Sequence, residues 1–218
     1  MGIRRITGLL ILLISALCIS GCFDYQERIV LNKDASGTMA VDYWIMNDVR
    51  IDSGEYGFPD KGGNIRKEVK KKYTSDKIKL TEFNVSDEKD TRHVHFKVAF
   101  VNILDLNDVE QFQNNKIRFT QSGTNISYER SITLNEGNKA GQNEPEGLFG
   151  KLVLGFVKDG LSNIRFRFEV VTPYRIDQTN ADSKTGGNRA VWKFRLPDVM
   201  GQPDYEMRLS TGDGSLKI

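Results

Sequence analysis

The chain has 218 residues but only two histidines and two cysteines, Cys18 and Cys22, both at its start. A body without thiols has no disulfide framework, no thiolate nucleophile and no cysteine-ligated metal. There is no G-x-S-x-G elbow, H-E-x-x-H, Walker loop or G-x-G-x-x-G, so the common catalytic and nucleotide-binding chemistries lack their parts. The 29 acids single out no carboxylate pair. The expectation is a non-catalytic protein with no cofactor and no metal. Five prolines and 20 glycines exclude collagen-like and low-complexity classes. The excess of one charge sign is also small. The formal charge is +2, from 31 basic and 29 acidic residues. Residues 1–21 hold Arg4 and Arg5 and no acid, so 31 less 2 leaves 29 bases against 29 acids beyond them. A neutral body offers no general attraction for nucleic acid, which would need a local basic patch.

The one long apolar run lies at the start. Arg4 and Arg5 precede Leu9–Ile14, continued by Ala16, Leu17 and Ile19. A charged start before a short apolar stretch is the pattern of a secretory signal peptide. The run is short of the roughly 20 residues a spanning helix needs. It ends Ile19-Ser20-Gly21-Cys22, which resembles the lipobox of bacterial lipoproteins. The resemblance implies cleavage between Gly21 and Cys22, a diacylglycerol thioether on Cys22, and an exported protein held on the periplasmic or cell-surface side of a bacterial membrane. Cleavage discards Cys18 and lipidation consumes Cys22. On this reading residues 1–21 are the signal peptide, 22–28 the lipidated cysteine with a short tether, and 29–218 a single domain. The tether has no Ser/Gly/Pro-rich stalk, so the domain sits close to the bilayer.

Alternation of apolar residues predicts strands. Ile29–Leu31 and Met39–Met46 flank a turn at 32–37; Ile78–Val85 and Val94–Val101 flank a polar turn at 86–90; Ile117–Thr120 and Ile126–Ile132 flank Ser122-Gly123. Ile164–Val171, Val191–Leu196 and Tyr205–Leu209 follow. Three segments read as helices. Asn64–Tyr73 puts Ile65, Val69 and Tyr73 on one seam; Leu104–Phe112 is a short acidic connector; Pro145–Lys158 ends at Gly160. The expected fold is α+β, with antiparallel hairpins forming a sheet and two or three helices packed against it.

The run Arg165–Pro173, then Thr179-Asn180-Ala181, then Ala190-Val191-Trp192-Lys193-Phe194 resembles the LppM-like domain of bacterial lipoproteins: a strand ending in Pro, an Asn-containing loop, a strand with a central Trp. Cys22-Phe23-Asp24-Tyr25 with its following hairpin fits the same domain. The resemblance implies a lipid-anchored, non-enzymatic envelope protein, with glycolipid binding suggested by the mycobacterial relative. The chain ends at Ile218 without the second membrane segment that some relatives carry.

Four features are candidate sites. Arg66, Lys67, Lys70, Lys71 and Lys72 face Glu68 alone on the first helix. Arg165 and Arg167, with Lys193 and Arg195, oppose the apolar sides of two strands. Either set is a solvated face or a site for anionic headgroups. The nearly uncharged segment 148–157, with Leu148, Phe149, Leu152 and Phe156, is a buried core helix, the lid or wall of a lipid cavity, or a segment dipping into the membrane interface. His93 and His95 share one strand face, and a solvent-facing polar side is preferred to metal binding. The function expected is binding of a lipid or glycolipid near the membrane, with docking of another envelope protein through exposed strand edges as the alternative. The protein partner, if any, is unspecified.

Replacing Cys22 with Ser removes the acceptor thiol, so metabolic labelling with palmitate should mark the wild-type chain and not Cys22→Ser. Label on the variant would sink the anchor assignment.

Overall fold

The structure is a computed structural model and describes residues 23–46, 64–89, 91–113, 115–133, 164–199, 202 and 204–212. Eleven strands are present among them: β1 Phe23–Leu31, β2 Gly37–Met46, β3 Ile78–Glu88, β4 Thr91–Phe100, β5 Ile117–Ser122, β6 Asn125–Thr133, β7 Ile164–Val171, β8 Ile176–Thr179, β9 Ser183–Thr185, β10 Arg189–Arg195 and β11 Asp204–Thr211. A seven-stranded sheet has the order β3-β4-β2-β1-β7-β10-β9, and a four-stranded sheet the order β5-β6-β11-β8.

The hairpins form where alternation and turn chemistry coincide. Between β1 and β2, the Asp34 carboxylate accepts from the Ser36 amide at 3.1 Å and from its hydroxyl at 2.6 Å. Those bonds pull the Asp34 pKa below its ordinary value. Gly37 opens β2 because no side chain fits there. A Cβ would meet the Val30 carbonyl oxygen at 2.1 Å and the Phe100 ring at 2.8 Å.

One core lies between the sheets. From the larger sheet it takes Ile29, Met39, Val41, Phe96, Val98, Phe166, Phe168 and Trp192; from the smaller, Ile117, Tyr128, Ile132, Met207 and Leu209. The α-helix α1, Ile65–Tyr73, packs on the same inner face through Ile65, Val69 and Tyr73, with the Tyr73 ring edge-on to Phe96 at 4.6 Å. Its N-terminus is capped by Asn64, whose side chain accepts from the Lys67 amide.

The α+β expectation is corrected by this arrangement. The main partner of the large sheet is a second sheet, and the fold is β-rich. Among the described residues, helical structure amounts to α1, the 3-10 turns Ile103–Asp108 and Glu110–Phe112, and the four-residue α2, Leu196–Val199. The physical reason is that period-2 alternation reports which residues face inward but not whether a strand joins one sheet or another. The connector read as a helix breaks into 3-10 turns at Val109, which is extended. Nor is the pairing antiparallel throughout, since β1 runs parallel to β7, with Phe23 opposite Ile164. The tether also disappears: residues 23–28, expected as a linker, are the first two-thirds of β1. The expected helix at 145–158 lies outside the described residues.

Trp192 joins the two sheets. It is 1% exposed, and its indole N–H donates to Asn180 Oδ1 at 2.8 Å, which also accepts from the Arg208 amide of β11 at 2.8 Å. The Asn180 amide group returns a bond to the Glu206 carbonyl. The Asn and Trp that marked the family pattern therefore hold one joint of the sandwich. Trp192→Ala should destabilise by about 3–5 kcal/mol in a urea melt, and a loss below about 1 kcal/mol would mean that the ring carries no packing.

Buried phenols set the alkaline limit. Burial raises the pKa of Tyr128 to about 12, and those of Tyr25 and Tyr43 well above the ordinary value. Up to pH ~10 the folded and unfolded chains both keep these protons; above it the unfolded chain releases them first, so stability falls as pH rises from ~10 to 12. The urea midpoint should drop across that window, and less steeply for Tyr128→Phe.

Candidate anion-binding site

Because Phe166 and Phe168 point into the core, Arg165 and Arg167 must point out, and the same parity turns Lys193 and Arg195 outward on β10. Register then brings them together. Arg165 lies opposite Arg195, and Arg167 opposite Lys193. On the other side of β7, Asp24 and Gln26 of β1 lie opposite Arg165 and Arg167. The second basic set read from the sequence is thus one surface. It lines an open groove of about 470 Å³ that also includes Asp24, Gln26 and Asp198.

The groove is electropositive. Four cations line it against two acids, Asp24 and Asp198. Asp24 takes a bidentate pair from Arg165, at 2.6 and 2.7 Å, which raises the Arg165 pKa. Arg195 Nε reaches Asp198 at 3.1 Å, and Arg167 pairs outside the groove with Glu169 at 3.0 Å. Arg165, Arg195 and Arg167 are therefore each held in place by a carboxylate.

The helical set is arranged differently. Arg66, Lys67, Lys70 and Lys71 are exposed, and Arg66 lies over the Phe83 ring at 5.7 Å. Lys72 is corrected: it is buried, only 8% exposed, and burial lowers its pKa. The seam of Ile65, Val69 and Tyr73 is wide enough to draw Lys72 in beside Tyr73. Since α1 packs on the inner face of the large sheet, this set and the groove lie on opposite sides of that sheet.

His93 and His95 stand on the outer, polar face as expected. Asp42 Oδ1 lies 3.1 Å from His93 Nε2 and 2.8 Å from His95 Nδ1. Trp44 stacks on His93 at 4.5 Å, nearly parallel. Among the described residues no group of His, Cys, Asp and Glu is arranged to hold a metal ion. Gly21, Cys22, Leu148, Phe149, Leu152 and Phe156 lie outside the described residues.

Two charged clusters escaped the sequence reading. Glu27 on β1 and Arg130 on β6 form an ion pair inside the core, and Glu169 on β7 is met by Arg28, Arg167 and Arg189. Glu27 had a signal, being a charge at an inward position between Tyr25 and Ile29.

The fold and groove define a two-sheet β-rich domain with a cationic patch on the outer face of its larger sheet. A family model matches residues 17–209, and the chain belongs to the LIC11874-like family. Its structure is similar to that of the folded domain of LppM from Mycobacterium tuberculosis, determined by NMR. The likeness covers 87% of this chain and 89% of that one, with 12% identity and a TM-score of 0.44. At that identity and score the likeness decides nothing about a ligand. A search of curated proteins matches nothing.

Proposed function

We propose that the protein is an exported, lipid-anchored, non-catalytic envelope protein that binds the anionic headgroup of a lipid or glycolipid in the groove between β1, β7 and β10. One observation carries this reading: the groove lies at the end of the sheet where the chain enters β1. The lipobox resemblance gives that position its meaning. Asp24, on the groove wall, is two residues from Cys22, at most ~7 Å along the chain. That is within a Debye length of ~8 Å at physiological salt. Near an anionic surface each unneutralised cation contributes about 1 kcal/mol, and the effect fades over that same length. The groove cations are therefore placed where headgroup attraction is strongest. The cations of α1, on the opposite side of the sheet, are the weaker candidates, and Lys72 is no longer one of them.

The test is native mass spectrometry of the lipidated protein extracted from its own membrane in neutral detergent. Wild type should retain an anionic lipid beyond its own anchor. Arg165→Gln with Lys193→Gln should lose it by about tenfold or more, as expected when charged hydrogen bonds are removed. Lys67→Gln with Lys70→Gln and Lys71→Gln should retain it. If the wild type carries no lipid, or the groove variant keeps it, the lipid reading fails and docking of an envelope protein through the strand edges takes its place.

A further inference from the structure

Farther along the outer face, three guanidinium groups surround one carboxylate. Glu169 points outward from β7, yet it is only 6% exposed, because arginines cover it from three sides. Arg28 is its register partner on β1; Arg167 lies two residues earlier on β7; Arg189 stands on β10 opposite Val171. Arg28 Nε and Arg189 Nε lie 3.0 and 2.9 Å from Glu169 Oε1, and Arg167 Nη2 lies 3.0 Å from Oε2. Only the Arg167 contact is a directed hydrogen bond. Oε1 accepts no N–H among the described residues. Arg28 and Arg189 are held close by charge while their donors are aimed elsewhere.

Three cations around one anion leave the cluster at +2. Like charges gathered at short range repel, so one internal carboxylate under-neutralises the group. A guanidinium offers its donors as a rigid fork that matches the oxygens of phosphate. Among the described residues, two such forks make ion pairs but no directed hydrogen bond, on a solvent-facing surface, with Arg28 about half exposed and Arg189 about a third. We infer that Arg28, Arg167 and Arg189, assembled around Glu169, form a second anion site that takes a phosphate group. It shares Arg167 with the groove but has its own centre. Arg28 is five residues along β1 from Phe23, about 17 Å, beyond the Debye length that ties the groove to the anchor. The site does not depend on the groove holding a lipid. Phosphate reaches it either as a lipid headgroup or free in solution.

The experiment uses the full-length protein in neutral detergent, titrated calorimetrically with inorganic phosphate and, separately, with phosphatidylglycerol and phosphatidylcholine vesicles. Saturable phosphate binding is expected, weakened about tenfold or more by Arg28→Gln with Arg189→Gln and by added salt. Arg118→Gln, an exposed cation on β5 of the smaller sheet, should leave it unchanged. Glu169→Gln removes the internal counter-ion and should tighten binding, a direction that a purely structural carboxylate would not produce. Should that variant fail to fold in a thermal melt, the Arg28/Arg189 pair decides alone. Binding to phosphatidylglycerol vesicles without binding to phosphate, and lost in the same double variant, assigns the group to a lipid headgroup. No response to either probe, or a response the double variant keeps, overturns the site. Loss of lipid from the groove alone would leave it standing.

Discussion

Glu27 and Arg130 are paired inside the core, with each side chain about 2% accessible, and the placement of everything outside follows from that pair. Removing two charges from water costs several kcal/mol per ion, so such a pair persists only where other groups complete it. Here the Tyr25 hydroxyl donates to Glu27 Oε2 at 3.0 Å, and the Arg130 guanidinium lies over the Phe112 ring at 4.6 Å and the Phe168 ring at 5.3 Å. Glu27 belongs to the larger sheet and Arg130 to the smaller, so the contact acts as a registration point between them. A slip of one residue in β1 would bury Gln26 or Arg28 against Arg130 and turn Glu27 to solvent.

That constraint reaches the surface through parity and register. With Tyr25, Glu27 and Ile29 inward, Asp24, Gln26 and Arg28 must face out. The parallel ladder to β7 sets them beside Arg165, Arg167 and Glu169, and the antiparallel ladder to β10 adds Arg195, Lys193 and, diagonally, Arg189. The groove and the arginine cluster are thus two levels of one face. Carboxylates orient the arginines at both levels, Asp24 and Asp198 below and Glu169 above, and both levels keep a surplus of positive charge. The equal numbers of acids and bases beyond residue 21 conceal this, because charge that matters for recognition is distributed by tertiary contact and not by composition.

Much of the fold was legible because strand alternation and turn residues are local signals. The hairpins of β1–β2, β3–β4 and β5–β6 follow from apolar residues two apart around polar turns. The helix from Ile65 follows from its seam and the Asn64 cap. The helical connector failed because a capping box at Asn102 and Asp105 favours a tight turn, and an extended Val109 then stops propagation. Lys72 misled for another reason: a nine-residue helix packed by three large side chains buries more than its central seam. The groove residues Arg165, Arg167, Lys193 and Arg195 were legible as outward-facing cations opposite aromatic neighbours. Asp24, which pairs with Arg165 across 141 positions, was not.

The sequence by itself determined most of the strands, though not the start of β1 or β8 and β9, and which face of each is apolar, since periodicity and short motifs depend only on near neighbours. Only the tertiary structure decided that the strands divide into two sheets, that β1 lies parallel to β7, and that Glu27 meets Arg130. Alternation carries no address for a distant partner. The choice among possible neighbours is made by how all the inward faces fill one core together, and by which arrangement leaves each buried charge with its counter-charge.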